Sequence, residues 1–295
     1  MSDPGAPVEP GRRDGADSHA ATIEKLPQPE HSAIRHVVAV MSGKGGVGKS
    51  TVSALLAATL ARAGHRVGVL DADVTGPSIP KLLGVTGKPE NIGFGLLPPE
   101  SATGVRVMSL NLLLDRADDP VIWRGPLVSA AVKQFWTDVV WGDLDYLVVD
   151  LPPGTGDSPL TALQSLPVDG IIIVSSPQDL AAMVVRKAVK MARMLGVPIL
   201  GLVENMTFVR CPHCGEEIRV FGRSRAEDIC RDTGIKLLGS LPLDPSISEL
   251  GDRGEIESYE TSIFETVPDL VARVAAKAAP TPGAVPNGPE GGETQ

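Results

Sequence analysis

Nine consecutive residues, Gly43-Lys44-Gly45-Gly46-Val47-Gly48-Lys49-Ser50-Thr51, constrain this chain more than any other stretch. They satisfy the pattern G-x-x-x-x-G-K-S/T. Their surroundings are those the pattern needs, with an apolar β-branched run at 36–41 before it and helical periodicity over 49–63 after it. Glycines let backbone N–H groups turn inward around phosphate oxygens with no Cβ in the way. The N-terminus of a helix beginning at Lys49 adds its dipole to the same spot. Lys49 supplies a point charge for the β- and γ-phosphates, and the Ser50 hydroxyl is suited to ligate Mg2+. A loop of this kind commits the chain to a strand–loop–helix unit that holds a nucleoside triphosphate.

The rest of the sequence repeats that alternation. Apolar β-branched runs at 66–70, 105–110, 146–149, 170–175, 199–203 and 236–238 are separated by helical segments at 126–140, 160–166 and 180–195. Strands that are continuously apolar are buried on both faces, so the pattern predicts a doubly wound α/β fold: a mostly parallel sheet with helices on each side. Aromatic residues are only 3% of the chain against 42% apolar overall, so Val, Leu, Ile and Ala must build the core. Ile263, Val267, Leu270, Val271 and Val274 recur at helical spacing and read as a core-facing helix. Residues 1–33 and 279–295 hold nine of the 26 prolines and few branched aliphatics, and read as disordered tails around one ATPase-type domain at 34–278. The net charge of −9 argues against a nucleic-acid binder, which needs a basic face. No apolar run approaches the roughly 20 residues of a membrane span. The Met1-Ser2-Asp3-Pro4-Gly5 start lacks a basic n-region and an apolar h-region. Three cysteines make no disulfide framework. A soluble, cytoplasmic protein is the expectation.

Two acidic strand ends should lie on the carboxyl edge that carries the loop. Leu70-Asp71-Ala72-Asp73 closes the second strand, and carboxylates there either orient a water for attack on a γ-phosphate or hold Mg2+ through water. Helix capping is the plainer alternative for either residue. The run at 146–149 ends in Asp150, the position from which a carboxylate reaches a Mg2+-bound water. It continues as Leu151-Pro152-Pro153-Gly154-Thr155-Gly156-Asp157, whose two glycines allow the backbone movement a switch loop needs.

Cys211-Pro212-His213-Cys214-Gly215 forms a different constellation, inserted at 205–222. Two thiolates separated by two residues can grip one metal centre, with Gly215 supplying the bend. A tetrahedral zinc site or a [4Fe-4S] cluster needs four such ligands, so the simplest completion is a two-fold dimer contributing two from each chain. Spacing alone leaves zinc, an iron–sulfur cluster and a redox pair all open. Cys230 lies in a helical stretch, 226–232, and reads as a packed thiol, while His213 between the two cysteines should point away from them.

Lys44, five residues before Lys49, places a cation at each end of the loop. This resembles the deviant phosphate loop of the MinD-like ATPases. The remaining blocks extend the likeness from about 36 to 252: Asp71-Ala72-Asp73-Val74-Thr75-Gly76-Pro77-Ser78-Ile79-Pro80, Trp123-Arg124-Gly125-Pro126, Asp150 to Asp157, Ser176-Pro177-Gln178-Asp179, Glu204-Asn205-Met206, the cysteine pair and Pro242-Leu243-Asp244-Pro245. Together they resemble the Mrp family of iron–sulfur cluster carriers. The resemblance implies a homodimer that binds and hydrolyses ATP with Mg2+ and carries a [4Fe-4S] cluster bridged by Cys211 and Cys214 of both chains. It implies transfer of that cluster to apo iron–sulfur proteins. It gives Lys44 a contact with the partner chain's nucleotide and Asp73 the activation of water. Asp71 becomes a metal-side support, Asn205 an adenine contact, and the segment from Pro242 to Asp244 a base-side loop. Some family members carry an N-terminal cysteine cluster, whereas residues 1–33 contain no cysteine, so only the bridging pair is expected to serve. Where the family is often glycine-rich the chain has Phe221-Gly222-Arg223-Ser224-Arg225-Ala226, with Arg223 and Arg225 expected in solvent. Two rival readings accompany this one. A positioning ATPase like MinD or the chromosome-partitioning proteins would require an amphipathic membrane helix or a basic DNA face, and leaves the cysteine pair unexplained. The other rival is a zinc-bridged, nucleotide-dependent interaction module.

Overall fold

The structure is a computed structural model that describes residues 25–73, 76, 78–114, 125–178 and 181–278. Residues 1–24 and 279–295, the Trp123-Arg124 end of one motif and Asp179 of another lie outside the described residues. In chain order the strands are β1 (Ser32–Ser42), β2 (Val67–Asp71), the short pair β3 (Glu90–Asn91) and β4 (Leu96–Leu97), β5 (Arg106–Ser109) and β6 (Gly142–Asp150). Then follow β7 (Gly170–Ser175), β8 (Ile199–Glu204), a second short pair β9 (Val209–Arg210) and β10 (Glu217–Ile218), and β11 (Leu237–Ser240). The α-helices are α1 (Lys49–Arg62), α2 (Ile79–Leu82), α3 (Gly125–Thr137), α4 (Asp157–Ser165), α5 (Ala181–Met194), α6 (Ala226–Thr233), α7 (Pro245–Arg253) and α8 (Val267–Ala278).

Seven strands form one sheet in the order β11-β8-β7-β1-β6-β2-β5, and every pairing is parallel. Each of the seven coincides with an apolar run in the sequence. Side chains alternate across the sheet, so each strand feeds two cores. On β1, Ala39 and Met41 join Trp136 of α3, Leu163 of α4 and Val189 of α5 on one face. Val38 and Val40 join Leu55 and Leu56 of α1 and Val267 and Val271 of α8 on the other. This is the doubly wound architecture. The strand order reverses at β1, and ligands of such sheets bind beyond the carboxyl ends at that switch point. Register places the predicted site there, because Asp150 pairs with both Val40 of β1 and Asp71 of β2.

The described fold includes part of the stretch that the sequence assigns to a disordered N-terminal tail. Residues 25–33 belong to the fold, since the Leu26 N–H donates to the Ser165 carbonyl at 2.9 Å and β1 begins at Ser32. The Trp136 indole N–H donates to the Pro27 carbonyl at 2.7 Å. A buried indole needs an acceptor, and a proline-bounded stretch supplies one from far along the chain. α7 was also not foreseen. Its Asp244 cap accepts from the Ser246 N–H at 2.9 Å and Pro245 occupies the first turn, the usual start signals of a helix.

Candidate functional site

The motif residues form the turn that leaves β1 after Ser42 and the first turn of α1. A Cβ on Gly45 or Gly46 would meet no heavy atom within 4 Å, so their backbone faces open space. Gly46 and Gly48 hold φ of 77° and 77°, a left-handed conformation that glycine adopts without strain. Gly48 caps α1 and packs against Asn205, where a Cβ would collide with the amide nitrogen. Gly43 has another role, closing against Val184 of α5 with no room for a side chain. Val47 is buried in the core beneath the loop, and Thr51 follows Ser50 in the first turn of α1.

Asp150 is the centre of the site. Its Oδ2 lies 2.8 Å from Lys49 Nζ and accepts from the Ser50 hydroxyl at 2.6 Å. Its Oδ1 accepts from the Ser53 hydroxyl at 2.7 Å. Ser53, one turn beyond Lys49 on the same helical face, was not singled out from the sequence, although that spacing was readable. Asp73 Oδ2 is 3.6 Å from Lys49 Nζ. Asp71 Oδ1 accepts from the Asp73 N–H and its Oδ2 from the Ser109 hydroxyl, both at 3.1 Å. Asp71 is 1% exposed and Asp150 fully buried. Burial, then the Asp150 charge, push the Asp71 carboxyl well above the usual range, and Lys49 offsets this only in part. Two carboxylates, Asp73 and Asp150, thus face the Lys49 ammonium, and the Ser50 hydroxyl beside them is an oxygen donor of the kind a hard divalent cation takes.

Lys44 stands at the outer lip of the loop, where its ammonium donates to the Gln178 amide oxygen after β7. Asn205, at the end of β8 and buried, donates from Nδ2 to the Val47 carbonyl at 2.9 Å. The adjacent Met206 has φ of 61°, a conformation unusual without glycine. Pro242 lines a cavity of about 320 Å³ with Phe208, Asp244 and Tyr259, and the Tyr259 hydroxyl donates to Asp244 Oδ2 at 3.3 Å.

Six residues past Asn205, the cysteine pair occupies the turn of the β9–β10 hairpin. The Cys211 N–H donates to the Glu216 carbonyl and the Gly215 N–H to the Cys211 carbonyl, each at 2.9 Å. Gly215 makes the bend with φ of 76°. Cys214 is exposed and Cys211 half-buried. The N–H groups of Cys214 and His213, followed by the Cys214 thiol, hold the Cys211 thiol below its ordinary pKa. Donors aimed at sulfur favour the thiolate form. Cys230 is buried in α6, where burial, then Glu204 and Glu227, push its thiol up. The packed role foreseen for it holds. Among the described residues, no cluster of three or more His, Cys, Asp or Glu is arranged to hold a metal.

A parallel sheet with this strand order, a doubly lysine-bearing phosphate loop and paired strand-end aspartates define a P-loop NTPase of the MinD/ParA type. The chain belongs, within that class, to the family described as NUBPL iron-transfer P-loop NTPase of the ParA group, whose model matches residues 33–275. The iron-sulfur cluster carrier protein of Methanocaldococcus jannaschii is 48% identical over 249 residues, covering 83% of this chain and 86% of its own. That of Clostridium perfringens is 44% identical over 234 residues, 77% of this chain and 82% of its own. Among solved structures, the nucleotide-binding protein of Archaeoglobus fulgidus in complex with ADP is 45% identical with a TM-score of 0.71, covering 79% of this chain and 91% of that one. The cell division ATPase MinD of Pyrococcus furiosus shares the fold at 21% identity and a TM-score of 0.55, over 83% and 100% of the two chains. No helix among the described residues is long and apolar enough to cross a membrane.

Proposed function

We propose that the chain binds and hydrolyses ATP at the residue 43–51 loop and carries a [4Fe-4S] cluster between two copies of itself for delivery to apo iron–sulfur proteins. The observation that carries this reading is the hairpin. It presents Cys211 and Cys214 at the surface, one of them tuned toward thiolate, with no third ligating residue beside them among the described residues. Two hairpins facing each other across a two-fold axis supply four thiolates. Homologues named iron-sulfur cluster carrier protein favour iron over zinc as the cargo.

Lys49, Ser50, Asp71 and Asp150 are the residues that would hold nucleotide phosphate and Mg2+ in this reading. When bound, Mg2+ would neutralise charge that develops on the phosphate oxygens. Asp73, whose carboxylate faces Lys49 at 3.6 Å, orients the attacking water. Lys44 lets go of Gln178 to reach the partner subunit's phosphates. Asn205 and the Pro242 loop take the adenine. Asn205 also ties the two functions together, because it touches Val47 in the phosphate loop and stands at the root of the cysteine hairpin. Displacement of the loop by nucleotide is therefore felt at the cluster.

Anaerobic reconstitution with iron and sulfide, followed by metal analysis and solution mass measurement, tests the reading. A brown dimer with four irons per two chains supports it. A colourless protein that retains zinc, or a monomer after loading, overturns it. Lys49→Ala should still accept a cluster in vitro and fail to support transfer in cells.

A further inference from the structure

Shortly after the cysteine hairpin in sequence, Phe221 and its neighbours help to line a cavity of about 550 Å³ that the nucleotide and cluster chemistry does not use. It opens between α5, α6 and the segment after β10. Arg186, Arg223 and Arg225 line it together with Phe221, Ile229 and Asp228. Three guanidiniums gather here in a chain whose net charge is −9. Asp228 is balanced by Arg231 at 3.2 Å on its own helix. Arg186 is braced by Asp232 of α6 at 2.6 Å, which fixes the α5–α6 wall and leaves further N–H donors of the five-donor fork unspent. Arg223 and Arg225 are exposed, and Arg225 already has a partner within the chain, so an occupant shares its five-donor fork rather than finding it vacant.

We propose that this cavity docks an acidic peptide segment of a second protein, one that also carries an apolar side chain. Size favours an occupant larger than a lone anion. At roughly 30 Å³ per water the space holds well over a dozen waters, and its three guanidiniums come from two separate elements. A single phosphate would engage one or two of them. Several carboxylates along a peptide can engage all three, since each guanidinium fork matches a carboxylate. The apolar requirement comes from Phe221 at 38% exposure and Ile229 in the wall, continued along the chain by Val220 at 56% and Ile218 at 52%. Exposed apolar side chains thus recur along the stretch from β10 to the cavity wall. An occupant seated there touches Phe221, seven residues along the chain from Cys214, and Pro177, whose neighbour Gln178 contacts Lys44. That the owner of the peptide is a cluster recipient rests on the carrier reading; the docking itself does not.

The test uses the full chain and a fluorescein-labelled synthetic peptide of six glutamates flanking one leucine, followed by anisotropy at low salt. A Gln-for-Glu peptide serves as control. The acidic peptide should bind, weaken as salt screens the charges, and lose at least about tenfold in affinity to the R223E/R225E chain. The R223K/R225K chain should recover part of that loss. Equal binding of the neutral peptide, or no loss in R223E/R225E, would overturn the proposal. So would inorganic phosphate that displaces the peptide where chloride of equal ionic strength does not. Thermal unfolding of each variant confirms that the fold is intact. Cluster loading measured in parallel separates the two ideas: a wild-type chain that never loads iron sinks the carrier reading, and the peptide titration decides docking independently.

Discussion

Lys49 Nζ and Asp150 Oδ2 are 2.8 Å apart in a site where the lysine is 6% exposed and the aspartate not at all. An ammonium and a carboxylate taken this far out of water are each costly alone, and their pairing is what makes the arrangement tolerable. Asp150 is held further by the Ser50 and Ser53 hydroxyls, so its orientation is set by three donors from a single helix, α1. The phosphate loop and the strand-end carboxylate are thus one unit.

Replacing Lys49 by Met tests that unit without nucleotide. It leaves Asp150 and Asp73 without their buried cation, and losing one member of a buried pair costs about 3–5 kcal/mol. Urea unfolding of Lys49→Met at neutral pH should show a midpoint well below that of the parent chain. Asp150→Asn on the Lys49→Met background should recover part of the loss. A midpoint unchanged in Lys49→Met would mean that the pair contributes nothing to the fold.

Gly48→Ala is expected to damage the loop twice over. The residue holds φ of 77°, where an L side chain is strained by about 1–2 kcal/mol, and the new methyl would run into the Asn205 amide. Truncating Asn205 removes the second problem and leaves the first, while depriving the Val47 carbonyl of its donor. The urea midpoint of the chain without nucleotide should therefore fall in Gly48→Ala and recover only partly in the Gly48→Ala, Asn205→Ala pair. Full recovery would show that backbone strain at Gly48 is irrelevant.

Much of this was legible along the chain, for a physical reason. A parallel strand covered on both sides is apolar at every position, so β7 over Gly170–Ser175 announces itself without neighbours. The phosphate loop is equally local, nine residues in a row. The unread parts depend on residues distant in sequence. Ser109 reaches Asp71 across 38 positions and Gln178 reaches Lys44 across 134, and nothing near either residue marks it as a partner. Residues 25–33 look like tail by composition, and the partners that anchor them, the Trp136 indole and the Ser165 carbonyl, lie far downstream. The two-residue strands β9 and β10 are too short for any periodicity, yet they pose the cysteines.

The opposite edge of the sheet offers a pH test. Asp145 accepts from the Arg66 backbone N–H at 2.9 Å, with the Arg66 and Arg35 guanidiniums each at 3.5 Å. The Arg66 N–H first, and then its side chain, hold the Asp145 carboxyl below the usual range. A carboxyl with a depressed native value adds stability above its unfolded pKa, near 4, and that stability is lost as the pH falls through the native value. Asp145→Asn should be less stable than the parent chain by about 1 kcal/mol at pH 7. The gap should narrow steadily below about pH 4. A gap that stays constant through the acid range would refute the assignment.

The three cysteines should separate cleanly in their chemistry, and this bears most directly on the proposed cargo. Thiolate is the reacting form, so labelling rate follows pKa and access together. Cys211 is half-buried with its thiol pKa lowered by the Cys214 and His213 N–H groups, Cys214 is exposed, and Cys230 is buried with its thiol pKa raised. Brief iodoacetamide treatment followed by peptide mass spectrometry should modify Cys211 and Cys214 and spare Cys230. Cluster loading protects whatever ligates it, so after anaerobic reconstitution the first two should become resistant while Cys230 stays unreactive in both states. Substitution separates the roles further. Cys211→Ala should abolish loading, whereas Cys230→Ala removes only a packed sulfur, costs on the order of 1 kcal/mol of stability, and leaves loading intact. Protection of Cys230 on loading, with Cys214 still open to the reagent, would place the metal elsewhere and break the link between hairpin and cargo.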